Sequence, residues 1–347
     1  MAPSLSVSLG LLLLLLSLNV VAANKPQDHL HSDKQCISCH QEGIAELLEV
    51  LSKPKESCTQ CHTEAQIKAG DFSSAIPFTE VDGVDPELRL TADAGMRFPL
   101  LYKQSRVGSE PNEMVVIPAG IFIMGTNSRL FDEGPQHEVY LDAYLIDKYE
   151  VTNLQYETYI KAMNRRSPMH FINRTYPEGK VDHPVVFVGW DDAVDYCAWA
   201  GKRLPSDKEW EKAARSSDGR TYPWGELFDP TKSNNPVRWR AARQTGDTTP
   251  VGAFEKGVSV YGLYDTSGNV WEWTDSWYYP YPGSKVTSEN YGERYKTLKG
   301  GSWFDCSFYK CGISAPLFNR SFFAKRTKND TFGFRCAKDA TAPDEAE

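Results

Sequence analysis

Cys36-Ile37-Ser38-Cys39-His40 and Cys58-Thr59-Gln60-Cys61-His62 repeat one pattern, CxxCH, at a spacing of 22 residues. In this pattern two thiols take up haem vinyl groups as thioethers and the adjacent histidine coordinates the iron. The pair therefore predicts two c-type haems, with His40 and His62 as axial ligands. His29 and His31 lie just ahead of the first motif, and no methionine occurs from Asn24 to Gly95. Bis-histidine iron is thus the expected state of at least one haem, which implies a low to middling potential and electron transfer rather than ligand chemistry. The same residues also allow plainer uses: a Cys2His2-type zinc knot or two short disulfides for the motifs, and solvent-exposed side chains for His29 and His31.

A second constellation lies late in the chain, in Lys299-Gly300-Gly301-Ser302-Trp303-Phe304-Asp305-Cys306-Ser307-Phe308-Tyr309-Lys310-Cys311. Gly300 and Gly301 permit a turn that a β-carbon would forbid, and they bring Ser302, Cys306 and Cys311 into one loop. Two thiolates on such a loop form a soft site that favours Cu(I), or Zn2+ if two further ligands arrive. A local disulfide between Cys306 and Cys311 is the alternative in an oxidising compartment.

Compartment matters to both constellations, because covalent haem attachment takes place outside the cytoplasm. Residues 1–23 end in an apolar run, Leu9 to Ala23, that closes on Val21-Ala22-Ala23. The run is short for a bilayer span and finishes in small residues, so it reads as a signal peptide, with an uncleaved N-terminal anchor as the alternative. Export to the periplasm is the expectation, with no membrane span after removal of the leader. A formal charge of −8 and the lack of a Lys/Arg-rich patch argue against nucleic acid as a partner. An acidic surface suits docking to a basic redox partner protein.

Residues 24–70 are expected to form a small, mostly helical dihaem module, in which Gln41 to Leu51 places Ile44, Leu47, Leu48 and Leu51 on one side of a helix. A unit this small has little core of its own, and haem would supply one. Residues 71–112 lose periodicity among scattered Gly and Pro, which predicts an irregular linker, and Met96 there reads as a packing residue. A new domain opens at Met114-Val115-Val116-Ile117-Pro118-Ala119-Gly120 and extends over 113–340, followed by a short acidic tail, 341–347. Within it Thr152 is expected to cap a helix to about Ala162, Asp191 one through Trp199, and Ser206 with Glu209 one through Arg215. Three short helices among many strands and turns predict an α+β domain rich in irregular structure.

That domain resembles the formylglycine-generating enzyme, or sulfatase-modifying factor, family in a series of strings that keep their order. They are Ile117-Pro118-Ala119-Gly120, Tyr149-Glu150-Val151-Thr152-Asn153, Gly201-Lys202-Arg203-Leu204-Pro205-Ser206, Tyr222-Pro223-Trp224-Gly225, Gly262-Leu263-Tyr264-Asp265, Gly268-Asn269-Val270-Trp271-Glu272-Trp273, Gly300-Gly301-Ser302 and Gly333-Phe334-Arg335-Cys336. The resemblance implies a C-type-lectin-like architecture and a structural Ca2+ at Asp265, Gly268, Val270 and Glu272, positions whose two carboxylates and two carbonyls are hard oxygen ligands. Without the ion, the same stretch reads as a turn followed by a buried Trp-Glu-Trp strand. Asn234 or Asn235 matches part of a second calcium set. The family's disulfide would join Cys197 to Cys336, and Cys306 and Cys311 match the two active-site cysteines that hold Cu(I), with Ser302 and Trp271 lining the same site.

Two departures stand beside the match. Cys306 comes four residues after Ser302, where the family's first cysteine comes three after its serine. Gly312-Ile313-Ser314 replaces the Arg-Tyr-Arg that follows the family's second cysteine. The expected activity is an exported dihaem oxidoreductase in which copper-dependent, O2-linked oxidation of a cysteine on a protein substrate draws electrons through the haems. The alternatives are an electron-transfer cytochrome whose large domain docks a terminal reductase, with Cys306 and Cys311 bonded to each other, and an accessory factor that matures a metalloenzyme.

Overall fold

The computed structural model describes residues 104–241, 245–304 and 315–340. The CxxCH motifs, His29, His31, the helix expected at 41–51 and the Cys306/Cys311 pair lie outside the described residues. Among those residues, no helix is long and apolar enough to cross a membrane.

Strand β1 (Met114–Ile117) leads by a tight turn into β2 (Gly120–Met124), and β3 (His137–Leu141) and β4 (Tyr144–Asp147) follow. The helices are α1 (Asn153–Ala162), α2 (Trp190–Trp199), α3 (Asp207–Arg215) and the short α4 (Pro236–Ala241). The rest of the chain supplies β5 (Trp271–Tyr278), β6 (Gly292–Lys299), β7 (Arg320–Phe323), β8 (Phe332–Gly333) and β9 (Ala337–Asp339). They form three sheets: β1-β4-β9, the β2-β3 ribbon and β7-β6-β5-β8. Short helices set among small sheets make this an α+β arrangement.

Local chemistry fixes the helix starts. Thr152 accepts from the Gln155 backbone N–H while the Gln155 side chain returns to the Thr152 N–H, a reciprocal cap for α1. Ser206 and Glu209 do the same for α3. For α2 the expected cap shifts: Gly189 is the N-cap, and Asp192, not Asp191, accepts from its N–H at 2.8 Å. The Gly-Trp-Asp-Asp sequence places the second acid three residues after the cap, where a carboxylate reaches back.

The main core lies between α1, α2 and β5. Tyr156, Tyr159, Ile160, Tyr196, Trp271, Trp273, Phe332 and Phe334 are all buried there, and the Tyr156 and Tyr196 rings stack at 5.8 Å. Within this core Cys197 and Cys336 form a disulfide that spans 139 residues of sequence and joins α2 to the chain just ahead of β9. Around β1 and β4, Ile117, Tyr144, Ile146, Ala213 and Leu263 close a second cluster.

The stretch 104–112, read from sequence as linker, is bound to the domain. Ser105 Oγ and the Arg106 N–H donate to the Asp182 carboxylate at 2.5 and 2.6 Å, and the Gln155 side chain donates to the Glu110 carbonyl and Asn112 Oδ1. Loss of periodicity there reflects a chain held by side-chain hydrogen bonds rather than by a helix or strand.

Candidate functional site

Lys299 ends β6 and fixes the approach to the double-glycine turn. Its ammonium is fully buried and donates to Glu211 Oε2 at 2.8 Å, while Glu211 Oε1 accepts from Arg215 Nη1 at 2.9 Å and from the Gly125 N–H at 2.7 Å. Burial works against the Glu211 carboxylate, but Lys299 and Arg215 outweigh it and hold its pKa below the ordinary value. Charges this deep persist only when paired and hydrogen-bonded, which is the case here. The last residue before the turn is therefore anchored to α3.

The turn itself uses the conformations expected of it. Gly300 and Gly301 have φ of 96° and 76°, the left-handed region open to glycine. Ser302 follows, 1% exposed, with its hydroxyl donating to the Phe304 carbonyl at 2.8 Å and accepting from the Phe304 N–H at 3.2 Å. Ser302 thus shapes the first bend of the chain that goes on toward Cys306. Trp271 lies in the aromatic core rather than at the surface, and its indole N–H is buried without a hydrogen-bond partner among the described residues.

The Asp265–Glu272 stretch sits directly beneath this turn. The Gly268 N–H donates to the Gly300 carbonyl at 2.7 Å, and the Trp303 N–H donates to the Asn269 carbonyl at 2.9 Å. Gly268, with φ of 99°, brings its α-carbon so close to the Asn234 carbonyl that an added β-carbon would lie 2.2 Å from that oxygen. Asn269 Nδ2 then donates to Glu150 Oε2 at 2.6 Å, and the Val270 N–H to Glu150 Oε1 at 3.3 Å. The turn is thus tied to the domain through this pair of loops as well as through Lys299 and Glu211.

Glu272 is engaged by Arg335, whose Nε donates to Oε2 at 2.6 Å and Nη2 to Oε1 at 2.7 Å, and Trp210 Nε1 donates to Oε2 at 2.8 Å. Asp265 Oδ2 accepts from the Gly252 N–H at 2.7 Å. Arg335 thus bonds Glu272 directly, and its charge also acts on the buried carboxylates of Glu150 and Asp265. Burial, opposed by the Gly252 hydrogen bond and Arg335, pushes Asp265 up to about 6, and burial with the charges of Asp265 and Glu272 raises Glu150 well above the ordinary value. Carboxylate and carbonyl oxygens are the hard donors that Ca2+ takes, and Glu272 Oε1 keeps a lone pair beyond its Arg335 bond.

The asparagines that match part of a second calcium set make hydrogen bonds within the domain. Asn234 Oδ1 accepts from Trp239 Nε1 at 2.7 Å, and its amide donates to the Asp247 carbonyl and Asn269 Oδ1. Asn235 donates to the carbonyls of Pro230 and Ser233. Glu150, Arg335 and Glu211 are the site-supporting residues that the sequence reading did not single out. For Glu150 and Arg335 the signal was a lone charge between apolar neighbours, as in Tyr149-Glu150-Val151 and Phe334-Arg335-Cys336.

Comparison with known proteins matches this geometry to one family. The model of the sulfatase-modifying factor enzyme 1-like domain matches residues 98–340. The formylglycine-generating enzyme of Bos taurus is 31% identical over 291 residues, covering 67% of this chain and 76% of that protein. The inactive C-alpha-formylglycine-generating enzyme 2 of Mus musculus is 32% identical over 283 residues, covering 67% of this chain and 87% of that protein. Among solved structures, PvdO from Pseudomonas aeruginosa aligns with a TM-score of 0.54 and 28% identity, over 69% of this chain and 98% of that one. By these matches the chain belongs to the family of sulfatase-modifying factor enzyme 1-like proteins.

Proposed function

We propose that the protein is an exported dihaem c-type oxidoreductase whose family domain oxidises a thiol on a protein substrate at a Cu(I) site made by Cys306 and Cys311. Cysteine accounting carries the reading. Cys197 and Cys336 are bonded to each other, and the two CxxCH motifs use four more of the eight cysteines. Cys306 and Cys311 remain, on the chain that leaves a turn anchored through Lys299, Gly300 and Trp303. Copper bound there would activate O2 for removal of hydrogen from the substrate cysteine, and the reaction calls for two electrons from an external reductant. Two haems held by Cys36, Cys39 and His40 and by Cys58, Cys61 and His62, with His29 or His31 as a further axial ligand, would relay one electron each from a redox partner. Ser302 lines the site, and Ca2+ at Asp265, Gly268, Val270 and Glu272 would steady the loop beneath it.

A second reading has its own support. One relative of comparable similarity is described as inactive, and this chain departs from the family on both sides of its cysteines, at the Ser302–Cys306 spacing and at Gly312-Ile313-Ser314. In that reading the domain docks a terminal reductase or serves a maturing metalloenzyme, and Cys306 and Cys311 are joined. Peptide mapping of the intact, non-reduced protein separates the two. The oxidoreductase reading expects Cys306 and Cys311 as free thiols that alkylate without reductant. A peptide linked from 306 to 311 in the functional protein assigns the domain to docking.

A further inference from the structure

The loop from Met163 to Thr175 carries the two most exposed large hydrophobic side chains among the described residues, Met169 at 79% and Ile172 at 72%. It is a fixed frame rather than a slack connection. Arg174 Nη2 donates to the Ile160 carbonyl at 2.8 Å and its Nη1 to Asn164 Oδ1 at 3.3 Å, and Phe171 inserts into the main core. Residues 161–175 contain Lys161, Arg165, Arg166 and Arg174 and no acid. Glu157 and Asp195 offset Lys161 and Arg165, so the face stays basic through Arg166 and Arg174.

Ser105 and Arg106, at the start of the described chain, are linked to this loop through Asp182, Lys180 and Asn153. Ser105 and Arg106 are bound to Asp182, two residues from Lys180, whose carbonyl accepts from Asn153 Nδ2 at 2.9 Å. Asn153 Oδ1 in turn meets His170 Nε2 at 3.1 Å, so hydrogen bonds at Asp182, Lys180 and Asn153, with the backbone from 180 to 182 between them, link residue 105 to the loop. Residues 24–103 carry thirteen Asp and Glu against eight Lys and Arg, along with both CxxCH motifs.

We propose that the 163–175 loop is the docking face for the chain's own N-terminal segment, residues 24–103. Met169 and Ile172 meet apolar residues of the segment, and Arg166 and Arg174 meet its excess of carboxylates. The occupant follows from tethering. A handful of exposed side chains falls far short of the roughly 800 Å2 per partner of a stable interface between separate proteins. A segment joined to the domain at residue 104 is held at an effective concentration on the order of millimolar and needs no such area. The electron-transfer use of this contact rests on the proposed haems, but the contact itself does not.

The test uses the full-length exported protein with a benzophenone side chain in place of Met169, which is exposed enough to leave the melting temperature unchanged. Irradiation is expected to give a cross-link within one chain, between position 169 and a peptide from 24–103. The yield should fall several-fold with Arg166→Glu and Ile172→Asp, and at high salt. Cross-links confined to a second copy, to another protein or to peptides of 104–340, or no cross-link at all, would overturn the proposal. Haem content measured on the same sample keeps the two readings apart: haem without the cross-link removes only the docking, and the cross-link without haem removes only the cytochrome.

Discussion

The positions of a few buried charges decide how firmly the cysteine-bearing turn is held. Glu211 serves Lys299, Arg215 and the Gly125 N–H at once, with no exposed surface. Replacing one member of a buried pair leaves the other uncompensated, so Glu211→Gln should cost about 3–5 kcal/mol in urea unfolding. A loss under about 1 kcal/mol would mean that Lys299 finds water instead. His170 makes a second prediction at this scale. Burial, with Lys180 adding to it, pushes this imidazole down to about 4 from an ordinary 6.5. In that window the unfolded chain binds a proton that the folded one does not, so stability falls as pH drops from about 6.5 toward 4. Comparison of urea midpoints at pH 7 and 4.5 should show a smaller drop for His170→Gln than for the natural sequence.

At the scale of elements, the loop pair 265–272 and 300–304 behaves as one unit, because Gly268 and Gly300, and Asn269 and Trp303, are hydrogen-bonded across it. If Ca2+ offsets the surplus charge of Glu150, Asp265 and Glu272, a chelator should lower the melting temperature by several degrees. Asp265→Ala should abolish that response, and a chelator without effect on the natural sequence would speak against the ion. The helices around this unit were legible in the sequence, since Thr152 with Gln155 and Ser206 with Glu209 are local signals. The sheet pairings were not. The parallel contact of Trp271 with Phe332 and Glu272 with Gly333 joins segments some sixty residues apart with no local mark. In β6, Lys296 and Lys299 are buried, the first with its ammonium 4.3 and 4.1 Å from the Trp190 and Trp277 ring centres, the second on Glu211. α4 went unread because its six residues are too short for a period to show.

For the whole molecule, the family strings located the domain, and the Cys197–Cys336 bridge ties its middle to its end across 139 residues. Closing a loop of that length restricts the unfolded chain and contributes about 4–5 kcal/mol in the chain-entropy account. That bridge takes Cys197 and Cys336 out of the thiol count, and the proposed function depends on what Cys306 and Cys311 do. Spacing and the family strings mark Cys306 and Cys311 as a pair, but whether they hold metal or each other depends on redox history that no sequence records. The most direct measurement is a Cu(I) titration of the full-length protein under reducing conditions, run beside Cys306→Ser and Cys311→Ser. One tightly held equivalent is expected in the natural protein and its loss in either variant, with haem absorbance unchanged. Copper bound equally well by all three proteins, or by none, would contradict it.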